Sequence, residues 1–247
     1  MTTSSVEVAA LNNALWCDTV CAAHGVPGEV LPSVWLNRNV PPPYHSNLVV
    51  ISSMATQPEI DAHVRQLSSR ALLPTWSLKD SFANLDMAPQ GFRVLFDAQW
   101  IWLDADRVAA QATAAMHCVR ISSTSALALW EACWRQDAAN EQAAARQRRQ
   151  FPDALLRDPK VAFMACVEGD RFIAVGVANR TPGAIGLSNV VVAAQQRLAA
   201  WTNLIGLAGR LFPGFPIVGY ERDADLRDAE SAGFRAIGPL RVWTCKP

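Results

Sequence analysis

Two distant segments of this chain end on the same phrase, and that repetition limits the fold more than any other feature. Gln90–Trp100 reads QGFRVLFDAQW, and Ala232–Trp243 reads AGFRAIGPLRVW. Each follows a short polar run, KDSFANLDMAP in one case and ERDADLRDAES in the other. A Gly placed after such a run ends a helix in the left-handed conformation, and the apolar stretch beyond it reads as a strand. A chain that closes two segments this way is expected to contain two copies of one α/β unit. With 247 residues there is room for two compact domains of ordinary size. The expected division is 1–110 and 111–247, joined through the helix-forming stretch DADRVAAQATAA.

Composition narrows the partners. Residues are 51% hydrophobic and include nine Trp, so a sizeable core is expected. The 22 basic and 22 acidic side chains cancel, which argues against a broad nucleic-acid footprint. No apolar run approaches the roughly 18 residues of a membrane-spanning helix, and the N-terminus has neither the basic start nor the apolar core of a secretory signal. Cys17, Cys21, Cys118, Cys133, Cys166 and Cys245 stand singly, with no CxxC. Cys17 and Cys21, one helical turn apart, read as packing residues. The His residues form no ligand cluster, so no metal is expected. These features together predict reduced thiols in a cytoplasmic protein.

Element order can be read segment by segment. SSVEVAALNNALWCDTVCAAHG predicts a helix opened by Ser and stopped by Gly25, and NVPPPYHS a loop. NLVVIS predicts a strand, TQPEIDAHVRQLSS a Thr-capped helix, LLPTWSLKD a strand and GFRVLFDAQWIWL one or two strands. MHCVRIS then predicts a strand, STSALALWEACWRQ a helix and DAANEQAAARQRRQ a further solvated helix. VAFMACVEGDRFIAVGVANRT predicts a hairpin and AIGLSNVVV a strand. QQRLAAWTNLIGLAGRLF carries an apolar stripe through Leu198, Trp201, Leu204, Ile205, Ala208 and Leu211. PIVGYE predicts a strand, RDADLRDAESAG a helix, and FRAIGPLRVW a final strand broken at Gly238-Pro239.

From residue 116 onward, this order, together with GLSNVVV and GYERDADLRDAESAGFRAIGPLRVW, resembles the GNAT superfamily of acyl-CoA-dependent N-acetyltransferases. The N-terminal part resembles a more degenerate copy. The resemblance implies an α/β (α+β) fold of tandem GNAT-like units, each a mixed, mainly antiparallel sheet flanked by helices. It also implies acetyl-CoA as co-substrate and an amine acceptor, either a small molecule or a peptide, with a homodimer allowed. By the same resemblance, Ser188, Asn189, Val190, Val191 and Val192 supply a strand edge whose N–H groups hold the thioester oxygen as charge develops. Gln195, Gln196, Arg197, Leu198, Ala199 and Ala200 form the diphosphate cradle at a helix N-terminus.

The chain departs from the family pattern at two positions. Leu198 stands where a Gly lets backbone approach phosphate, and Arg197 either compensates by charge or is an ordinary surface Arg. Ala229 stands where many members place the Tyr that protonates the departing thiolate. Glu221 is the candidate base, or else a structural carboxylate. Tyr220 is a second catalytic candidate, or a core residue on the opposite face. Asn189 either orients a reacting group or satisfies a strand bulge. His117 and the Trp residues read as packing or surface groups, with one Trp free to wall an acceptor pocket. Three readings therefore stand: an acetyltransferase, a non-catalytic acyl-CoA-binding or sensing module with a degenerate GNAT fold, and a purely structural tandem domain.

Overall fold

The computed structural model describes residues 3–68, 76–111, 116–136, 149–193 and 196–245. They fall into two compact units, Met1–Trp100 with Ile237–Pro247, and Ile101–Ala236.

The first unit opens with helix α1 (Ser5–Ala23), whose capping box pairs the Ser4 side chain with the Glu7 amide and the Glu7 carboxylate with the Ser4 amide. Strands β1 (Glu29–Val30) and β2 (Val34–Leu36) follow, too short to show a period. Next come β3 (Leu48–Val50), helix α2 (Gln57–Ser68), β4 (Trp76–Asp80) and the start of β5 (Arg93–Leu103). Antiparallel pairing joins β1 to β2 and β2 to β3, whereas β3 and β4 run parallel through Leu48↔Leu78 and Val49↔Lys79. The C-terminal strand β11 (Arg235–Cys245) lies antiparallel to β4, from Arg241↔Asp80 to Cys245↔Trp76. The break expected at Gly238-Pro239 does not occur. Pro239 is exposed and precedes the stretch paired with β4, so its missing N–H costs no bond in that ladder. Trp76, Phe92 and Trp243 anchor the core, with Trp76 edge-on to Phe92 at 4.6 Å.

The second unit contains α3 (Ala105–Ala110), β6 (His117–Arg120), α4 (Thr124–Arg135), β7 (Val161–Glu168), β8 (Arg171–Arg180) and β9 (Ile185–Val192). Helix α5 (Arg197–Leu211), β10 (Ile217–Glu221) and α6 (Asp223–Ser231) complete it. Ser123 caps α4 by accepting from the Ala126 amide. Strands β6 to β9 are antiparallel in sequence order, with the predicted hairpin turning at Gly169, and β10 joins β9 in parallel. The segment 137–148, read from the sequence as a further helix, lies outside the described residues. The stripe on α5 buries Trp201, Leu204, Ile205 and Ala208 in the unit's core, but Leu198 is 52% exposed.

The repeated Gly-Phe-Arg phrase has a structural counterpart in each unit. Gly91 and Gly233 both adopt positive φ, 81° and 101°. Gly91 donates to Ala88 O and Phe92 to Met87 O; Gly233 donates to Glu230 O and Phe234 to Ala229 O. Both Phe side chains are buried, and both Arg residues start an 11-residue strand. The echo is one helix-ending device used twice.

One sequence expectation is overturned. Cys118 and Cys166 are not reduced thiols but a disulfide, set directly opposite each other on β6 and β7. Their separation of 48 residues gave the spacing no local signature. Among the described residues Cys17, Cys21, Cys133 and Cys245 form no disulfide. Reduction of this crosslink is expected to cost about 2–4 kcal/mol through the freed unfolded chain. Denaturant unfolding with and without a phosphine reductant, checked by thiol titration, measures the difference.

Candidate active site

The candidate site lies where β9 and β10 separate. Their parallel register holds at Ile185↔Ile217 and Gly186↔Val218 and goes no further, although β9 continues to Val192 and β10 to Glu221. At the fork Gly219 lies against β9 so closely that a Cβ there would fall 2.7 Å from Leu187 O. Past that point the two strands share no ladder, and residues 188–192 face the gap with one backbone edge.

A β-bulge shapes that edge. Val177 pairs with Ser188 and Val175 with Val191, so Asn189 and Val190 together stand opposite Gly176. An extra residue at a bulge leaves the ladder and bends the strand. Asn189 supplies it at φ 54°, in the left-handed region that Asn tolerates better than most residues. The bulge reading of Asn189 is therefore met, and the Ser188 hydroxyl donates to Asn189 Oδ1 at 3.2 Å.

Helix α5 starts beside this edge. Its N-cap, Gln196, makes no side-chain capping bond, and the Gln196 carbonyl accepts the Ala200 amide at 2.9 Å. The first-turn amides of Arg197, Leu198 and Ala199 thus lack a side-chain cap, the arrangement that receives an anion at a helix start. Gln196 instead reaches Glu168 Oε1 at 3.4 Å. Gln195 lies outside the described residues. Arg197 is neither a free phosphate ligand nor an idle surface residue: its guanidinium donates to both Asp225 and Asp228 of α6. Nothing in the local sequence signals this pairing, because Arg197 and its partners lie on different helices.

Glu221 and Tyr220 end β10, both half-buried. Burial first, and then the Asp225 and Asp228 carboxylates, push Glu221 up to about 8, while Arg197 works in the opposite direction. Ala229, where the resemblance leads one to look for a Tyr, is fully buried in the core. His117 is exposed on β6. Trp130, Trp201 and Trp243 are core residues, as their positions suggested.

No protein-family model matches the sequence, and no curated protein matches it. Solved structures do. A GCN5-related N-acetyltransferase from Kribbella flavida superposes with a TM-score of 0.61 at 9% identity, over 97% of this chain and 96% of that one. A GNAT-family protein from Novosphingobium aromaticivorans, described as a putative acetyltransferase, gives 0.57 at 14% identity, over 96% and 99%. A tandem GNAT protein from the clavulanic acid biosynthesis pathway gives 0.52 at 14% identity, over 100% and 97%. The chain has the GNAT fold: a mixed, mainly antiparallel sheet flanked by helices. None of the described helices is long and apolar enough to cross a membrane.

Proposed function

We propose that the chain is an acetyltransferase that moves the acetyl group of acetyl-CoA to an amine, on a small molecule or a peptide. The observation that carries this reading is the end of the β9–β10 ladder at Val218↔Gly186, with both strands continuing beyond it. A pantetheine arm fits between two such edges, where the backbone N–H groups of β9 near the bulge meet the thioester oxygen. Those donors strengthen as the oxygen becomes an oxyanion. The uncapped first turn at Arg197–Ala199 suits the diphosphate. Leu198 does not oppose this, since its side chain is turned largely to solvent. Glu221 serves as the proton-transfer group, and Tyr220, on the opposite face, orients the acceptor.

The repeated helix-ending device, and the parallel pairs β3/β4 and β9/β10, support a tandem arrangement with the N-terminal copy lacking the chemistry. Acetyl-CoA as donor supports a cytoplasmic location. The Cys118–Cys166 bond pulls the other way, because disulfides are rare in that compartment. A second reading, acyl-CoA binding without turnover, is favoured by one observation: the buried Ala229 has no proton to give.

Thermal unfolding with acetyl-CoA tests binding. At a hundred times its dissociation constant the ligand adds about 2.7 kcal/mol, and no shift at millimolar acetyl-CoA refutes both readings. Thiol release across an amine panel then separates enzyme from sensor.

A further inference from the structure

We propose that Cys118 and Cys166 form a thiol–disulfide exchange site, and that a dithiol opening it slackens the diphosphate cradle at the start of α5. The exchange stands on its own, and its effect on the cradle rests on the transferase reading above. Among the described strands β6 pairs only with β7, which leaves it one open edge. Across that ladder the half-buried Cys118 lies directly opposite the wholly buried Cys166. Cys118 is therefore the end at which a thiol enters. Cys166 belongs to one core cluster with Ala200, Trp201 and Leu204 of α5, and Met116 and Cys118 pack against the same cluster. The crosslink thus sits on the face of the sheet that α5 covers. Cys133 is on α4, whose Trp130 meets Phe163 on the other face of β7, so it is out of position to exchange with the pair.

Both crosslinked strands are also fastened to the first turn of α5. Two residues before Cys118, the Met116 amide donates to Asn203 Oδ1 at 3.3 Å, and Asn203 Nδ2 donates to Ala199 O at 2.6 Å. Two residues after Cys166, Glu168 Oε1 accepts from Gln196 Nε2, the side chain of the α5 N-cap. The disulfide closes this loop of contacts, whose two ends, Gln196 and Ala199, bracket the first-turn amides. Without the bond, β6 is a four-residue strand held by its ladder and, at its far end, by Arg120 on Val161 O and the Ile121 amide on Phe163 O. The end beside Met116 is the one that opens. Asn203 is buried, so losing the Met116 amide leaves its oxygen without an equivalent partner and loosens its hold on Ala199.

The exchange balances. A thiolate of the dithiol attacks Cys118 Sγ, the bond to Cys166 breaks with its electron pair on Cys166 Sγ, and that sulfur takes up a proton. The dithiol's second sulfur then attacks its partner in the mixed disulfide and releases Cys118 as a second thiol. The dithiol leaves as a cyclic disulfide, having passed its electrons and protons to the protein. A disulfide oxidant reverses each step.

The test treats the full chain with dithiothreitol in the absence of denaturant. Alkylation and mass spectrometry follow Cys118 and Cys166, and calorimetry gives the acetyl-CoA Kd before and after. Both thiols are expected to become alkylated while the far-UV circular dichroism is retained. Kd is expected to rise about tenfold, or about 1.4 kcal/mol, within the cost of leaving a buried polar group unpaired. Exchange into oxidised glutathione restores the tighter Kd. The double variant Cys118→Ala/Cys166→Ala binds as the reduced chain does and ignores dithiothreitol. Asn203→Ala binds weakly in both states, and its Kd moves by less than about twofold on reduction, because the relay is already cut. Alkylation of Cys118 and Cys166 only in urea would overturn the exchange site, and alkylation with an unchanged Kd would overturn its link to the cradle. A disulfide-bonded chain that binds no acetyl-CoA would overturn the transferase reading and that link, while the alkylation result still decides the exchange site.

Discussion

Replacing Trp130 with Ala is expected to destabilise the second unit by about 3–5 kcal/mol, the range for emptying a buried Trp site. Trp130 is fully buried. Its ring stacks on Trp134 at 6.3 Å and meets Phe151 and Phe163 edge-on at 5.5 and 5.1 Å, and its indole N–H donates to Met164 O at 2.9 Å. The next residue, Glu131, is buried too and accepts from the Phe151 amide and from Arg135 and Arg149. One turn of α4 thus fastens β7 and the chain around Phe151. A domain of this size has about 5–15 kcal/mol of stability in all, so the truncation removes a large share. Urea unfolding of wild type, Trp130→Ala and Trp130→Phe measures it, with Trp130→Phe expected to fall between. A loss below about 1 kcal/mol for Trp130→Ala contradicts this packing account.

Gly219→Ala is expected to reduce turnover about 10²-fold while costing only about 1–3 kcal/mol of stability. The added Cβ would meet Leu187 O at 2.7 Å, closer than carbon and oxygen approach without a bond, and its neighbour is backbone rather than a movable side chain. β9 and β10 must therefore part earlier or shift in register. Overpacking of this kind costs roughly 1–3 kcal/mol. Misplacing reacting groups by about 1 Å is enough to cost roughly 10² in rate. Steady-state kinetics together with urea unfolding separate the two effects. Unchanged kcat with clear destabilisation would mean that the fork does not set the reaction geometry.

How much of this was readable from the sequence depends on the range over which each feature is encoded. The helix ends at Gly91 and Gly233 were legible, because a left-handed Gly followed by a buried Phe is a local device. The apolar period of α5 was legible for the same reason, except at Leu198, which lies in the first turn and faces solvent. The fork is a matter of register between Ile185–Val192 and Ile217–Glu221, and the residues alone do not state a register. Only the family resemblance pointed to it. The sequence allows two roles for Asn189, since a left-handed Asn in a strand is recognised once its partner strand is known. Cys118 and Cys166, like Arg197 with Asp225 and Asp228, meet only through tertiary folding. Glu221 is a candidate base from the sequence alone, but the Asp225 and Asp228 carboxylates that help burial raise its pKa come from the following helix, and sequence spacing does not show that they face it.

The central claim is that the opening between residues 188–192 and 219–221 receives the acyl-pantetheine arm. A crystal structure of the full chain with acetyl-CoA tests it most directly. The expected result is a thioester lying between these segments, its oxygen within hydrogen-bond reach of a β9 backbone N–H and its diphosphate at the Arg197–Ala199 amides. Strands β9 and β10 zipped together along their whole length, or acetyl-CoA bound elsewhere on the chain, would contradict it.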